Sequence, residues 1–239
     1  MEINLYNSFE SIPADILKNS AAVVIDVFRA STTICTALIN GCSKIYPVET
    51  VDDAVSLYER LDQDKTFLCG ERNGVKIGGF HFGNSPFEYK KERIKNKDLI
   101  FTTTNGTYTL LKAKDSDPVL VCGFVNIGTV VKYLKNLNNI TILLSGRDRR
   151  FSLEDAVCGG MLVNKMLINN VIKINDGASA ALRLYLSVKE NCKDCLYNCE
   201  HAAYLKEIGF EDDLAYCLNL NTHDILPFYK DGVIKIDGQ

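Results

Sequence analysis

The 239-residue sequence holds no long apolar run, no block of like charge and no proline-rich tract. Its longest apolar stretch, Ala21 to Phe28, is interrupted by Asp26 and is far too short to cross a bilayer. The opening residues Met1-Glu2-Ile3-Asn4-Leu5-Tyr6 lack the basic region and continuous apolar core of a signal peptide, which places the expected protein in the cytosol. With 27 basic against 30 acidic side chains and a net charge of −3, it carries no electrostatic footprint for nucleic acid or an anionic membrane. A small anionic ligand stays open, because a local anion site needs only a few well-placed donors. Five prolines and no internal repeat leave no linker, so one domain spanning residues 1–239 is expected.

The common phosphate-handling signatures are missing as well. No cysteine is followed by an arginine six positions later, which removes the cysteine-phosphatase loop. Asp26-Val27-Phe28 is not the Asp-x-Asp of haloacid-dehalogenase-type phosphatases, and neither Arg-His-Gly nor Gly-Asp-x-His occurs. Without Gly-x4-Gly-Lys-Ser/Thr or Gly-x-Gly-x2-Gly, a P-loop NTPase and a standard dinucleotide fold are disfavoured.

What is present reads as α/β. Short β-rich runs at about 2–6, 22–27, 44–48, 66–69, 98–103, 118–122, 140–145, 171–174 and 232–236 alternate with helical patterns. The helical patterns cover about 30–40, 51–63, 105–113, 126–136, 153–168, 177–190, 201–208 and 212–218. This alternation predicts a three-layer α/β/α arrangement around a mixed, largely parallel sheet, with ligands at the carboxyl ends of its strands. One long irregular stretch, Gly70 to about Tyr89, is rich in glycine and reads as functional. The apolar helices leave room for a homodimer face.

Of nine cysteines, Cys35, Cys42, Cys69, Cys122, Cys158 and Cys217 lie in or beside apolar segments and read as buried, reduced thiols. Cys192, Cys195 and Cys199, followed by His201, have the density of a metal or redox cluster, but no second ligand pair accompanies them, and solvent-facing loop thiols are the simpler expectation. The three histidines, at 81, 201 and 223, form no metal-binding pair. His81 is the leading catalytic candidate among them because it lies in the glycine-rich stretch.

Candidate chemistry gathers at strand ends. Val23 to Thr33 places Asp26 at the end of an apolar strand, followed by Arg29, Ser31, Thr32 and Thr33 where a helix begins. Helix N-terminal amides and an arginine fork suit an anion, and an aspartate breaking a buried strand is costly unless paired. Phe101 to Thr107 repeats the logic with Thr103, Thr104, Asn105, Gly106 and Thr107, and Ser145-Gly146-Arg147 ends a third strand. The following Asp148-Arg149-Arg150 reads as a solvated loop. Ser152-Leu153-Glu154-Asp155 is a helix cap with acids in its first turn. The same Glu154 and Asp155, with Asp26 and Glu71, offer hard oxygen ligands for magnesium.

Five motifs in order resemble the 2-phosphosulfolactate phosphatase family: Ile25 to Thr33, Gly70-Glu71-Arg72, Gly79-Phe80-His81-Phe82-Gly83-Asn84-Ser85-Pro86, Thr102 to Thr107, and Phe151 to Asp155. The resemblance spans about residues 20 to 235, with His81 standing where the family pattern has an acidic residue and the Cys192 to Cys199 cluster outside the pattern. It implies a magnesium-dependent phosphatase acting on 2-phospho-3-sulfolactate in coenzyme M biosynthesis, with tolerance for other 2-hydroxy-acid phosphates. On that reading Asp26, Glu71 and Asp155 are catalytic and, with Glu154, gather Mg2+. Arg29, Arg72 and Arg147 hold the anionic groups, and the hydroxyl and amide residues of the strand ends, with Asn84 and Ser85, bind the small phosphate ester. General acid–base catalysis contributes only about 10²–10⁴-fold, so a metal and fixed charge must carry most of the rate. Two routes fit the residues, attack by Asp26 to give an acyl-phosphate or direct attack by water. A binding protein for a polyanionic metabolite is the alternative without catalysis.

Overall fold

In the computed structural model the chain is described at residues 1–7, 12, 14–148, 150–168 and 170–236; Arg149 of the expected solvated loop lies outside these. The eleven strands among the described residues are β1 (Glu2–Tyr6), β2 (Ala21–Ile25), β3 (Lys44–Pro47), β4 (Thr66–Arg72), β5 (Val75–Lys76), β6 (Asp98–Thr102), β7 (Val119–Cys122), β8 (Asn139–Leu144), β9 (Lys173–Ile174), β10 (Pro227–Lys230) and β11 (Val233–Ile236). The helices are α1 (Ala14–Lys18), α2 (Ala30–Ile39), α3 (Val51–Tyr58), α4 (Lys91–Ile94), α5 (Gly106–Lys112), α6 (Ile127–Leu134), α7 (Leu153–Leu167), α8 (Asp176–Val188), α9 (Cys192–Tyr197), α10 (Glu200–Glu207) and α11 (Glu211–Cys217).

The strands form one mixed sheet in the order β5-β4-β6-β3-β11-β10-β7-β2-β8-β1-β9. Two parallel blocks, β4-β6-β3 and β7-β2-β8-β1-β9, are joined by the antiparallel hairpin β10–β11. In the second block Val23 pairs with Leu120 on one side and Ile142 on the other. All five residues of β2 and all four of β7 are buried, which is why they read as continuous apolar runs instead of alternating ones.

The two faces of β2 feed separate cores. Val23 and Ile25 pack with Ile127 and Val130 of α6 and Val157 and Met161 of α7, whereas Ala22 and Val24 pack with Ile34 and Leu38 of α2 and Leu110 of α5. A third cluster sets Ala54 of α3 against Leu68 and Ile100 of β4 and β6. The α7–α8 contact is close because Gly160 of α7 has no side chain: a Cβ there would overlap the Ala181 carbonyl oxygen. The α/β architecture expected from the alternation is therefore the observed one.

Two expectations change. The stretch from Gly70 is not irregular throughout, since β4 runs on to Arg72 and turns through Asn73 and Gly74 into β5. Cys192 and Cys195 lie half-buried on α9 and Cys199 is buried just before α10, so they are not loop thiols facing solvent, and no group of three His, Cys, Asp or Glu among the described residues is placed to hold a metal. The six cysteines in apolar segments are buried as expected, and burial pushes the thiols of Cys35, Cys42, Cys69, Cys158 and Cys217 up. No helix among the described residues is long and apolar enough to cross a membrane.

Candidate active site

The carboxyl end of β2 delivers Asp26 into a turn that Asp26 itself stabilises. Its Oδ1 accepts the Ala30 amide at 3.1 Å, its carbonyl accepts the Ser31 amide at 2.9 Å, and its own amide donates to Ser31 Oγ at 3.0 Å. Asp26 thus occupies the N-terminus of α2, and the first-turn amides expected to cradle a substrate anion are partly taken by the protein's own carboxylate. Oδ2 has no hydrogen bond among the described residues and faces a cleft lined also by Arg29, Glu71, Asn84, Thr104, Asn105, Arg147 and His201. Burial raises Asp26 from 3.8 to about 6; the Ala30 amide and His201 oppose this, and Glu71 and Glu154 add to it.

Two further acids are tied into the backbone around the cleft. Asp155, in the first turn of α7, accepts the Val27 amide at 2.8 Å on one oxygen and the Gly146 amide at 3.0 Å on the other. It straps the end of β8 to the turn after β2. Burial, with Glu154 and Asp26 nearby, nevertheless holds its pKa well above the ordinary carboxylate range. Glu71 closes the β6 end: Thr104 donates its amide at 2.8 Å and its hydroxyl at 3.2 Å, and the Gly74 amide donates at 2.7 Å.

Glu154 is engaged differently. One of its oxygens is 2.6 Å from His201 Nδ1 and the other accepts from Cys199 Sγ at 3.6 Å. Burial pushes its pKa up, but the hydrogen bond and charge of His201 outweigh it and the net direction is down. The structure therefore gives Glu154 to an imidazole, where the sequence suggested a magnesium ligand.

The expected binding residues divide. Arg29 is 1% exposed, bonded through Nη1 to Asp213 Oδ2 at 2.6 Å and through Nη2 to the Gly74 carbonyl, with the Phe210 ring 4.1 Å from its carbon centre. Arg147 stacks on Tyr204 at 4.4 Å and pairs loosely with Glu200. Asn84 is buried, and its Oδ1 has no partner among the described residues, an open acceptor at the cleft. Asn105 Oδ1 accepts the Asp148 amide at 3.1 Å.

The remaining hydroxyls are structural. Ser31 braces Asp26, and Thr32 donates to the Val27 carbonyl. Thr33 donates to the Asn84 carbonyl, and Thr103 and Thr107 bond each other's amides. Ser85 donates to Asp213 at 2.7 Å. Arg72 turns away from the cleft, opposite Glu71 along β4, and its guanidinium is taken by the Glu71 and Glu49 carbonyls and Thr102. His81 accepts the Leu68 amide and packs on Phe67 away from the cleft.

Gly106 fixes how closely α5 approaches Asp26. A Cβ there would stand 2.7 Å from Asp26 Oδ2 and 2.6 Å from the Ala30 Cβ. Gly106→Ala is expected to fold but to lose about 10²-fold or more in kcat/KM if Asp26 reacts as the sequence leads one to expect, because the added methyl displaces that carboxylate. Steady-state assay beside a thermal melt checks this; near-normal turnover would remove Asp26 from the chemistry.

A carboxylate-and-arginine cleft at the strand ends of an α/β sheet has the makings of a hydrolase for anionic esters, and comparison with known proteins places the chain in a family of phosphoric monoester hydrolases. It belongs to the 2-phosphosulfolactate phosphatase family, whose model matches residues 6–232. It is 37% identical over 241 residues to a probable 2-phosphosulfolactate phosphatase of Clostridium beijerinckii, covering 99% of this chain and 100% of that one. A protein of the same name from Caldanaerobacter subterraneus subsp. tengcongensis is 35% identical over 236 residues, covering 98% of both chains. Another from Thermotoga maritima is 38% identical over 221 residues, covering 92% of this chain and 94% of that one.

Proposed function

We propose that this enzyme hydrolyses 2-phospho-3-sulfolactate to 3-sulfolactate and phosphate with Mg2+, as a cytosolic step of the coenzyme M type, and tolerates other 2-hydroxy-acid phosphates. The observation that carries the reading is the Asp26 carboxylate, one oxygen capped by Ala30 and the other open to a cleft that also presents Arg29 and Arg147. The donor set fits magnesium, which takes one or two carboxylates and completes its shell with water and substrate phosphate. Asp26 and Glu71 would hold it, with Asp155 fixing the turn that carries Asp26. Bound there, Mg2+ would neutralise charge on the phosphoryl oxygens. Arg29, held rigid by Asp213, and Arg147 orient the carboxylate and sulfonate. Asn84 Oδ1, Thr104 and Asn105 line the wall between them.

The test is phosphate release from 2-phosphosulfolactate, phospholactate and phosphoglycolate in Mg2+ and then in EDTA. Release with Mg2+ that EDTA abolishes, fastest on the sulfonated ester, is the expected result. Tight binding of these esters without phosphate release under any divalent cation overturns it in favour of a polyanion-binding protein.

A further inference from the structure

The Glu154–His201 pair has no part in the metal-and-arginine scheme, yet it reaches the same cleft. His201 lies in the first turn of α10, its ring edge-on to Phe28 with centroids 5.9 Å apart. Nδ1 is held at 2.6 Å by Glu154, a carboxylate 2% exposed. Nε2 carries no hydrogen bond among the described residues, and the imidazole lines the cleft beside Asp26 and Arg29. An imidazole fixed through one nitrogen by a buried carboxylate and open at the other is built to move a proton at a defined atom.

The reaction needs such a group. The leaving group of a 2-hydroxy-acid phosphate is an alkoxide, a strong base that departs slowly unless protonated. Among the cleft's donors, Arg29 and Arg147 do not release protons. Tyr204 already donates its hydroxyl to the Asn73 carbonyl at 2.9 Å. Among the described residues no lysine lines the cleft.

Resting on the phosphatase reading, we propose that His201 is a catalytic residue that protonates the ester oxygen at C2, and that Glu154 is its positioning residue. As the bond from phosphorus to that oxygen breaks, the oxygen keeps the electron pair and takes the proton from Nε2. Water supplies the new phosphorus–oxygen bond, and its surplus proton returns to the imidazole, leaving sulfolactate and phosphate.

The test compares H201N and E154Q with wild type on 2-phosphosulfolactate and on two esters with weakly basic leaving groups, p-nitrophenyl phosphate and phosphoenolpyruvate. H201N is expected to lower kcat on the alkyl ester by about 10²–10⁴-fold at little change in KM, and to affect the activated esters by less than about tenfold. E154Q should show the same selectivity with a smaller loss, and melting curves keep loss of fold separate. A wild type without phosphatase activity on any of these esters removes the phosphatase reading itself. An active wild type with H201N within tenfold on the alkyl ester, or with equal losses on every ester hydrolysed, overturns the role of His201.

Discussion

Asparagine at position 26 is expected to abolish phosphate release and, in metal-free buffer near neutral pH, to raise the melting temperature. The activity loss should reach at least about 10³-fold, the scale on which a preorganised charge at a reacting centre acts. The gain in stability follows from burial, which lifts the Asp26 carboxyl from 3.8 to about 6. A group whose folded pKa is raised favours folding only while protonated; its ionised form opposes folding once the pH passes through the raised value. The shift corresponds to about 3 kcal/mol of opposition above pH 6, at about 1.4 kcal/mol per pKa unit. Asparagine keeps the acceptor for the Ala30 amide and removes the charge, so D26N should melt roughly 5–10 °C higher at pH 7.5. The gap should shrink as pH falls from 6 and vanish below 3.8. Saturating Mg2+ should then stabilise wild type and leave D26N where it was. Melting curves from pH 3.5 to 8 with and without Mg2+ check this, and a variant that melts below wild type throughout would show that the Asp26 charge is compensated without metal.

The strand-end logic was legible because physics confines it locally. An aspartate closing a buried apolar strand, two threonine-rich strand ends and an acidic first helical turn each declare themselves within a few residues, and Asp26, Glu71, Thr104, Asn105 and Arg147 do meet at one cleft. The strands buried on both faces, β2 and β7, were the easiest to read, whereas β5 is two residues long and β10 opens on a proline. The division between ligand donor and structural cap was not legible. Ser31, Thr33, Thr103 and Thr107 have the right chemistry for an anion, but each finds a nearer backbone partner once the chain folds. His201 and Asp213 escaped for the opposite reason. They arrive from helices whose pattern reads as ordinary amphipathic cover, and their partners, Glu154 and Arg29, lie 47 and 184 residues away in sequence. Only the placing of His201 beside a cysteine cluster hinted at anything, and it pointed to metal. In α11, Glu211, Asp212 and Asp213 are all favourable to the helix dipole, and nothing local says that Asp213 alone is buried.

Asp213→Asn is expected to destabilise the protein by about 3–5 kcal/mol and to weaken substrate binding, although Asp213 does not line the cleft. Arg29 and Asp213 form an ion pair at 2.6 Å with side chains 1% and 3% exposed. Asp213 offers its second oxygen to Ser85, so one carboxylate ties α11, the start of α2 and the loop before Pro86 together. Removing its charge leaves a guanidinium in a site walled by Phe210 with, among the described residues, the Gly74 carbonyl as its remaining acceptor. The full charge then resists burial, and the melting temperature should fall by roughly 10 °C. R29M should also cost stability, since it leaves Asp213 as the unpaired charge. The double variant R29M/D213N should be more stable than the sum of the single losses allows, by more than about 1 kcal/mol of coupling, because neither buried charge remains and the substituted side-chain amide still accepts from the Ser85 hydroxyl. Phosphate release should nevertheless be lost in the double variant, since the cation proposed to meet the substrate is gone. Chemical denaturation of the four proteins beside their KM and kcat separates the two roles. Additive stability losses, or activity returning with stability, would show that Arg29 is held in the cleft for packing alone.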